Sequence, residues 1–355
     1  MGQVRQAALF SAAVIALSLS AAVTRATAQP PVPPASPAAP SNVTVPAAPA
    51  MSVLRLDPAL DAIIAPDAQI ERVATGFTFT EGPLWRKGRL WFADVRANKL
   101  RAMTADGKVE LLSDNPSGVT EKVPGLDQGA DGMVPDKGGT ILAANQGGRN
   151  VIRFDDKLKT TVFLDSYEGK KLNSPNDLVF APDGSLWITD PPYGMRGGDR
   201  SPDKQQPYNA VWRYAKGKLT PVITDLTIPN GIGFSPDGKT LYVSNYGPDM
   251  YVRAYSVGPN GKLSHPRTVI HYPPNSGDGG PDGLKVDMAG NLWSSGPGGI
   301  RIITPKGQVL GQIKLPEVAA NIAFAGDGHT VYITGSTSIY RLRSKVAGEL
   351  PLYRR

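Results

Sequence analysis

The sequence predicts an all-β chain: a six-bladed β-propeller with four-stranded antiparallel blades around a central channel. Three observations predict it. A short pattern, a Gly turn often preceded by Asp and followed by an apolar pair whose second residue is aromatic in five copies, occurs six times. The copies are spaced at about the length of one blade, and no stretch of comparable length between them has helical periodicity.

The copies are Lys87-Gly88-Arg89-Leu90-Trp91, Lys137-Gly138-Gly139-Thr140-Ile141-Leu142, Asp183-Gly184-Ser185-Leu186-Trp187, Asp237-Gly238-Lys239-Thr240-Leu241-Tyr242, Ala289-Gly290-Asn291-Leu292-Trp293 and Asp327-Gly328-His329-Thr330-Val331-Tyr332. Their last residues lie 51, 45, 55, 51 and 39 positions apart. A period of roughly 40–50 residues built on strands and tight turns is what propeller blades produce. Each copy reads as a hairpin. Phe180-Ala181-Pro182-Asp183-Gly184 runs from an apolar strand into a turn in which Pro presets φ and Gly accepts a positive φ. The strand that follows, Leu186-Trp187-Ile188-Thr189, is aromatic and β-branched. Both faces of these strands are apolar because a blade packs against two neighbours. Two separate sandwiches would not yield six such copies. Ring closure is expected from Ser338–Leu342 pairing with Gln69–Val73 in a shared blade.

The ends carry different signals. Arg5, the apolar run 7–23 and Ala26-Thr27-Ala28 form the three parts of an export signal, so residues 1–28 are expected to be removed and the protein to be periplasmic or secreted. Residues 29–50, almost all Pro, Ala, Ser and Val, read as an extended linker and include the sequon Asn42-Val43-Thr44. Residues 51–355 form the propeller. With no cysteine, neither disulfides nor thiolate metal ligands contribute. The net charge of +7 falls to +5 without Arg5 and Arg25, and the basic residues are scattered singly. A nucleic-acid partner is therefore not expected, nor a membrane once the signal is cleaved; a monomer or weak dimer is.

The functional signal lies ten to twelve residues before each aromatic pair, where each innermost strand begins. In register stand Glu81-Gly82, Asp131-Gly132, Asn176-Asp177, Asn230-Gly231, Asp282-Gly283 and Asn321-Ile322. Turn formation explains Asn or Asp before Gly, but it explains neither Glu81 nor Asn176-Asp177. Inner strands run beside the channel, so one register converges on the axis. Carboxylates and amide carbonyls together describe a site for a hard cation, calcium first and magnesium next, with zinc a further alternative.

Glu81-Gly82-Pro83, Ser174-Pro175-Asn176-Asp177, Thr189-Asp190-Pro191-Pro192-Tyr193-Gly194, Pro229-Asn230-Gly231 and Pro281-Asp282-Gly283 together resemble the gluconolactonase / SMP-30 / luciferin-regenerating-enzyme family over residues 70 to 345. The resemblance implies a six-bladed propeller with a central calcium held by Glu81, Asn230 and Asp282, and Asn176 as ligand or substrate contact. It also implies Asp282 as the catalytic carboxylate. Asp131 departs from the Asn-Gly that many relatives carry in the second blade, and adds negative charge near the metal. Asp131, Asn176, Tyr193 and Arg149 are the expected contacts to a small lactone or ester.

A bound cation would polarise a lactone carbonyl while Asp282 takes the proton of the attacking water, or, as the resemblance also allows, attacks as the nucleophile itself. Other hydrolytic solutions lack their residues: there is no Gly-x-Ser-x-Gly elbow, no His-Glu-x-x-His, and none of the three histidines, His265, His271 and His329, stands in the register. Arg149, Arg196 and Lys285 lie near the strand mouths, where they would meet a sugar-acid carboxylate. Surface solvation is the competing reading for Arg149 and Arg196, and Lys285, on the inner strand after Asp282, would otherwise point between blades. The Gly-rich segments 194–200 and 275–283 read as rim loops. The competing class is a non-catalytic propeller that binds a ligand or protein partner.

Overall fold

A computed structural model describes residues 51–348. The export signal 1–28, the linker 29–50 and its sequon lie outside the described residues. Six antiparallel blades appear in chain order, each beginning with its innermost strand. Blade 1 is Thr80–Arg86, Arg89–Asp94, Lys99–Met103 and Val109–Ser113; blade 2 is Ala130–Pro135, Ile141–Asn145, Asn150–Phe154 and Thr160–Leu164. Blade 3 is Leu178–Phe180, Leu186–Asp190, Ala210–Ala215 and Lys218–Ile223; blade 4 is Pro229–Phe234, Thr240–Tyr246, Met250–Val257 and Leu263–Tyr272. Blade 5 is Leu284–Val286, Leu292–Gly296, Gly299–Ile303 and Val309–Lys314. Blade 6 holds Ala319–Phe324, Thr330–Gly335 and Ser338–Arg343, and Glu71–Thr75 from before blade 1 completes it.

The repeat has a packing reason. In a strand, successive side chains point to opposite faces, and here the two faces meet two different blades. Leu241 and Val243 pack toward blade 3, whereas Tyr242 between them packs toward blade 5. The last residue of every copy does the same: Trp91, Leu142, Trp187, Tyr242, Trp293 and Tyr332 each face the next blade round the ring. Trp187 meets Phe234 edge-on at 5.5 Å, and Trp293 meets Phe324 edge-on at 5.5 Å. The Asp-Gly turns are equally concrete. Asp183 Oδ1 accepts the Ser185 N–H at 2.9 Å, and Gly184 has φ +79, a left-handed conformation that a side chain would strain.

Closure occurs as expected, with the outer strand two residues later than its sequence-based start at Gln69: Glu71 faces Arg341 and Thr75 faces Ser338. One addition has no clear signature in the sequence. Ser52–Arg55 pairs with Val309–Lys314 as a fifth strand of blade 5, and the 3-10 turn Pro58–Ala62 behind it seats fully buried Leu60 in the core between blades 5 and 6.

Candidate functional site

Where the inner strands begin, the ladder breaks. Pairing skips from Glu81 to Leu84, from Ala130 to Met133, from Pro229 to Ile232 and from Ala319 to Asn321. Such bulges release one or two residues from the ladder and re-aim their side chains. The released backbone bonds the next blade instead: Gly132 N–H donates to Asn176 O at 2.8 Å, Gly231 N–H to Asp282 O at 3.1 Å and Gly283 N–H to Ala320 O at 2.8 Å. The glycines are therefore required by close approach. A Cβ on Gly132 would meet Asp177 Oδ1 at 2.5 Å, and one on Gly231 would meet the Asp282 carbonyl at 2.3 Å.

These cross-blade bonds correct the register. The level ring is Glu81, Asp131, Asn176, Asn230, Asp282 and Ala320, so Asn321 stands one step deeper, beside Asp177. The two deeper residues are held alike: Asp177 N–H donates to Thr189 Oγ1 and Asn321 N–H to Thr334 Oγ1, each at 3.0 Å. Blade 6 lacks a glycine after its ring position, and the conspicuous Asn321 stands where that glycine would be.

A second set of residues aims the ring. Asp190 Oδ1 accepts the Ser174 N–H at 2.7 Å, and its Oδ2 accepts the Asn173 N–H and Trp212 Nε1–H, both at 2.9 Å, which fixes the approach to Asn176. Asp94 Oδ1 accepts the N–H of Thr78 at 2.9 Å and of Phe79 at 3.2 Å, just before Glu81. Asn245 Oδ1 accepts the Ile228 N–H at 2.9 Å, just before Asn230. Each stands three residues after the end of a repeat copy, so the sequence itself carries this second register. Asp190 also begins the run that carries Tyr193 to the ring, where the hydroxyl accepts a hydrogen bond from Asn230 Nδ2 at 3.2 Å.

Burial governs the electrostatics. Glu81, Asp131, Asp177 and Asp282 are all less than 10% exposed. Glu81 Oε2 accepts the Gly82 N–H at 2.6 Å and Asn321 Nδ2–H at 2.9 Å, while its Oε1 is buried without a partner. Burial lifts the Glu81 carboxyl to about 7 against those two hydrogen bonds. Burial, and then repulsion from Glu81, raise Asp131 and Asp282 well above the usual carboxylate range. Asp131 Oδ2 is shared by Asn176 Nδ2 at 2.9 Å and by Gln146 Nε2, a buried residue that the repeat pattern did not flag. Burial and the nearby Asp282 hold the Tyr193 hydroxyl in its protonated form.

Glu81, Asn176, Asn230 and Asp282 thus come together as expected, with Asp131 and Tyr193 beside them. Among the described residues no group of three or more His, Cys, Asp or Glu side chains is arranged to hold a metal. The oxygen set nevertheless fits a hard cation: Glu81 Oε1 has no partner, and the hydrogen bonds donated by the Asn176 and Asn230 amides leave their carbonyl oxygens to serve as donors. Arg149 is placed otherwise. Its Nε donates to the carbonyls of Leu172 at 3.1 Å and Asn173 at 3.0 Å, and its Nη1 to that of Asp203 at 2.9 Å, so these contacts bind loop to loop. His265, His271 and His329 bond Ser264, Asp249 and the Ser344 carbonyl, away from the ring. Below the ring the channel opens into a cavity of about 400 Å³, walled by Leu84, Met133, Leu178, Ile232 and Phe234, with Asp177, Lys285 and Asn321 at its polar end.

Residues 79–337 match the model of a family described as the SMP-30/Gluconolactonase/LRE-like region. A gluconolactonase of Zymomonas mobilis is 37% identical over 313 residues, 83% of this chain and 87% of its own length. A pentonolactonase of Haloferax volcanii is 25% identical over 74% of this chain and 83% of its own. The solved structure of a gluconolactonase from Xanthomonas campestris superposes with a TM-score of 0.73 at 30% identity, over 84% of this chain and 96% of that one.

Proposed function

We propose, given that this chain belongs to the SMP-30/gluconolactonase/LRE-like family, that it is a lactone hydrolase acting on a sugar-derived lactone at a divalent cation, calcium by preference. The observation that carries this reading is the ring itself. Glu81, Asp131 and Asp282 are forced together in a buried site that raises the proton affinity of all three, and one Glu81 oxygen has no partner. A fold that needed only packing would have no use for these acids, since burying unpaired carboxylates is costly.

Glu81, Asn230 and Asp282 would hold the ion, with Asn176 as a fourth ligand or a substrate contact. When bound, a divalent cation supplies a Lewis acid for the lactone carbonyl and steadies the negative charge that water attack creates. The chain's own residues supply the rest. Asp282, whose N–H donates to Ser295 Oγ at 2.8 Å, accepts the proton of the attacking water. The Tyr193 hydroxyl accepts from Asn230 and so keeps its own hydrogen for a substrate oxygen. Asp131 and Asn176 face the sugar hydroxyls. The ester C–O bond then breaks, Asp282 returns its proton to the leaving alkoxide, and a hydroxy acid departs.

The test is a panel of aldonolactones and aryl esters, assayed on chelator-treated protein with calcium, magnesium or zinc added back. Lactone hydrolysis should vanish with chelator and return most fully with calcium. Calcium binding with no turnover of any lactone would leave a ligand-binding propeller instead.

A further inference from the structure

We propose that Lys285 is a built-in cation: its ammonium occupies a second cation position one step beneath the ring and keeps that position closed to a divalent ion. The upper ion belongs to the function proposed above; the lower position is read from the lysine's own surroundings. Lys285 lies on Leu284–Val286, three residues past Asp282, and two-thirds of its side chain is buried. Its Nζ donates to Leu284 O at 3.0 Å and to Asn321 Oδ1 at 3.1 Å, and Asp177 Oδ2 lies 3.8 Å away. These are oxygens from blades 5, 6 and 3, the kind of shell a hard cation takes. Asp177 Oδ2 is buried with no hydrogen-bond partner, and its side chain is 6% exposed.

The lysine also orients its neighbour. With the Ile322 N–H, which donates to the same oxygen at 2.8 Å, it takes the Asn321 carbonyl and leaves that amide's hydrogens for Glu81 Oε2 at 2.9 Å. An amide offers an acceptor on one side and donors on the other, so Lys285 and the Ile322 N–H together present the donor side to Glu81. Charge counting favours two ions only when the lysine is absent; with it, one ion leaves a single negative charge and two would leave a single positive one, and the lower position is already filled. Glu81, Asp131, Asp177 and Asp282 give four negative charges when ionised; the lysine and one divalent ion supply three positive ones. Without the lysine, one divalent ion would leave an excess of two, and a second ion would balance the channel. Unlike a metal, the ammonium is tethered and cannot be removed by chelation.

The experiment counts ions rather than turnover. Calcium bound per chain is measured on metal-stripped wild type, Lys285→Met and Lys285→Met/Asp177→Asn, by equilibrium dialysis with elemental analysis. Lys285→Met should hold one ion more than wild type, and the double variant should return to the wild-type number. No gain in Lys285→Met, or a gain that survives loss of Asp177, overturns the assignment. The wild-type number is a separate result: zero would sink the metal centre proposed above and leave the difference between variants just as decisive here. If Lys285→Met does not fold, Lys285→Gln, which keeps a bond to Asn321 without charge, is read the same way: one extra ion supports the proposal and none overturns it.

Discussion

The faces between blades and the mouths of the inner strands come from the same six repeats, yet they are filled by opposite rules. Between blades, one interface resembles the next. The residue ending each copy always faces the following blade, and the Trp187–Phe234 and Trp293–Phe324 contacts agree in distance and nearly in angle, at 83° and 80°. At the mouths, six equivalent positions hold Glu81, Asp131, Asn176, Asn230, Asp282 and Ala320, and neighbours around the ring have different partners. Packing presents the same demand six times, so the repeat answers it identically. Chemistry at an axis needs different groups at equivalent places, so the site lies where the repeat is broken.

If this division is real, damage to the two regions should have opposite signatures. The largest effect should come from Trp187→Ala, which empties a fully buried position between blades 3 and 4 and removes the indole bond to Ser185. A loss of about 3–5 kcal/mol is expected in urea denaturation, with kcat and KM of the folded protein little changed. Activity falling in step with stability would erase the distinction.

The next effect concerns protons. Glu81 takes up its proton near 7 in the folded protein against an ordinary 4.5. Between these values the metal-free folded state holds more protons than the unfolded chain, so its stability must fall as pH rises through the window. Glu81 alone accounts for about 3 kcal/mol, and Asp131 and Asp282 act in the same direction. Melting temperatures in chelator should therefore drop from pH 5 to 7.5, and calcium should raise them more at pH 7.5 than at pH 5. A chelated protein that melts higher at 7.5 than at 5 would contradict the burial argument.

Asp282→Asn should sharpen the contrast most directly. Turnover should fall about 10²-fold or more, the scale for losing a general base, and stay low at saturating calcium. Metal-free stability at pH 7.5 should rise, because a carboxyl that burial forces either to lose its solvation or to hold a proton has been replaced by a neutral amide. Recovery of full turnover in excess calcium would leave Asp282 as a ligand only.

What the sequence revealed follows the same division. The propeller was legible because the large apolar residue that ends each copy, aromatic in five and Leu142 in the other, and the glycine of its turn are imposed by geometry that every blade shares. Five of the six ring positions were legible because close approach between blades, or Asp177 in its place, marks the step after them. The sixth was misread by one residue, since Ala320 carries no chemical signal and Asn321 does. Asp94, Asp190 and Asn245 formed a readable second register, three residues beyond the aromatic position. The direction of Lys285 was not readable: whether a residue after Asp282 points between blades or into the channel depends on the local course of the strand, which only the fold displays. Ser52–Arg55 escaped notice because a short, half-exposed outer strand needs little apolar patterning.

The shared sixth blade ties assembly to chemistry in time as well as in space. The Ser338 hydroxyl donates to Thr75 across 263 positions of sequence, and Asn321 reaches Glu81 across 240. Contacts between such remote segments are slow to find one another. During synthesis, blade 1 must wait for nearly the whole chain before blade 6 exists to pack beside it, and Glu81 waits with it. Shutting the ring and completing the site are thus one event, so a chain halted before blade 6 would hold all four carboxylates but lack Asn321, the partner of the first of them.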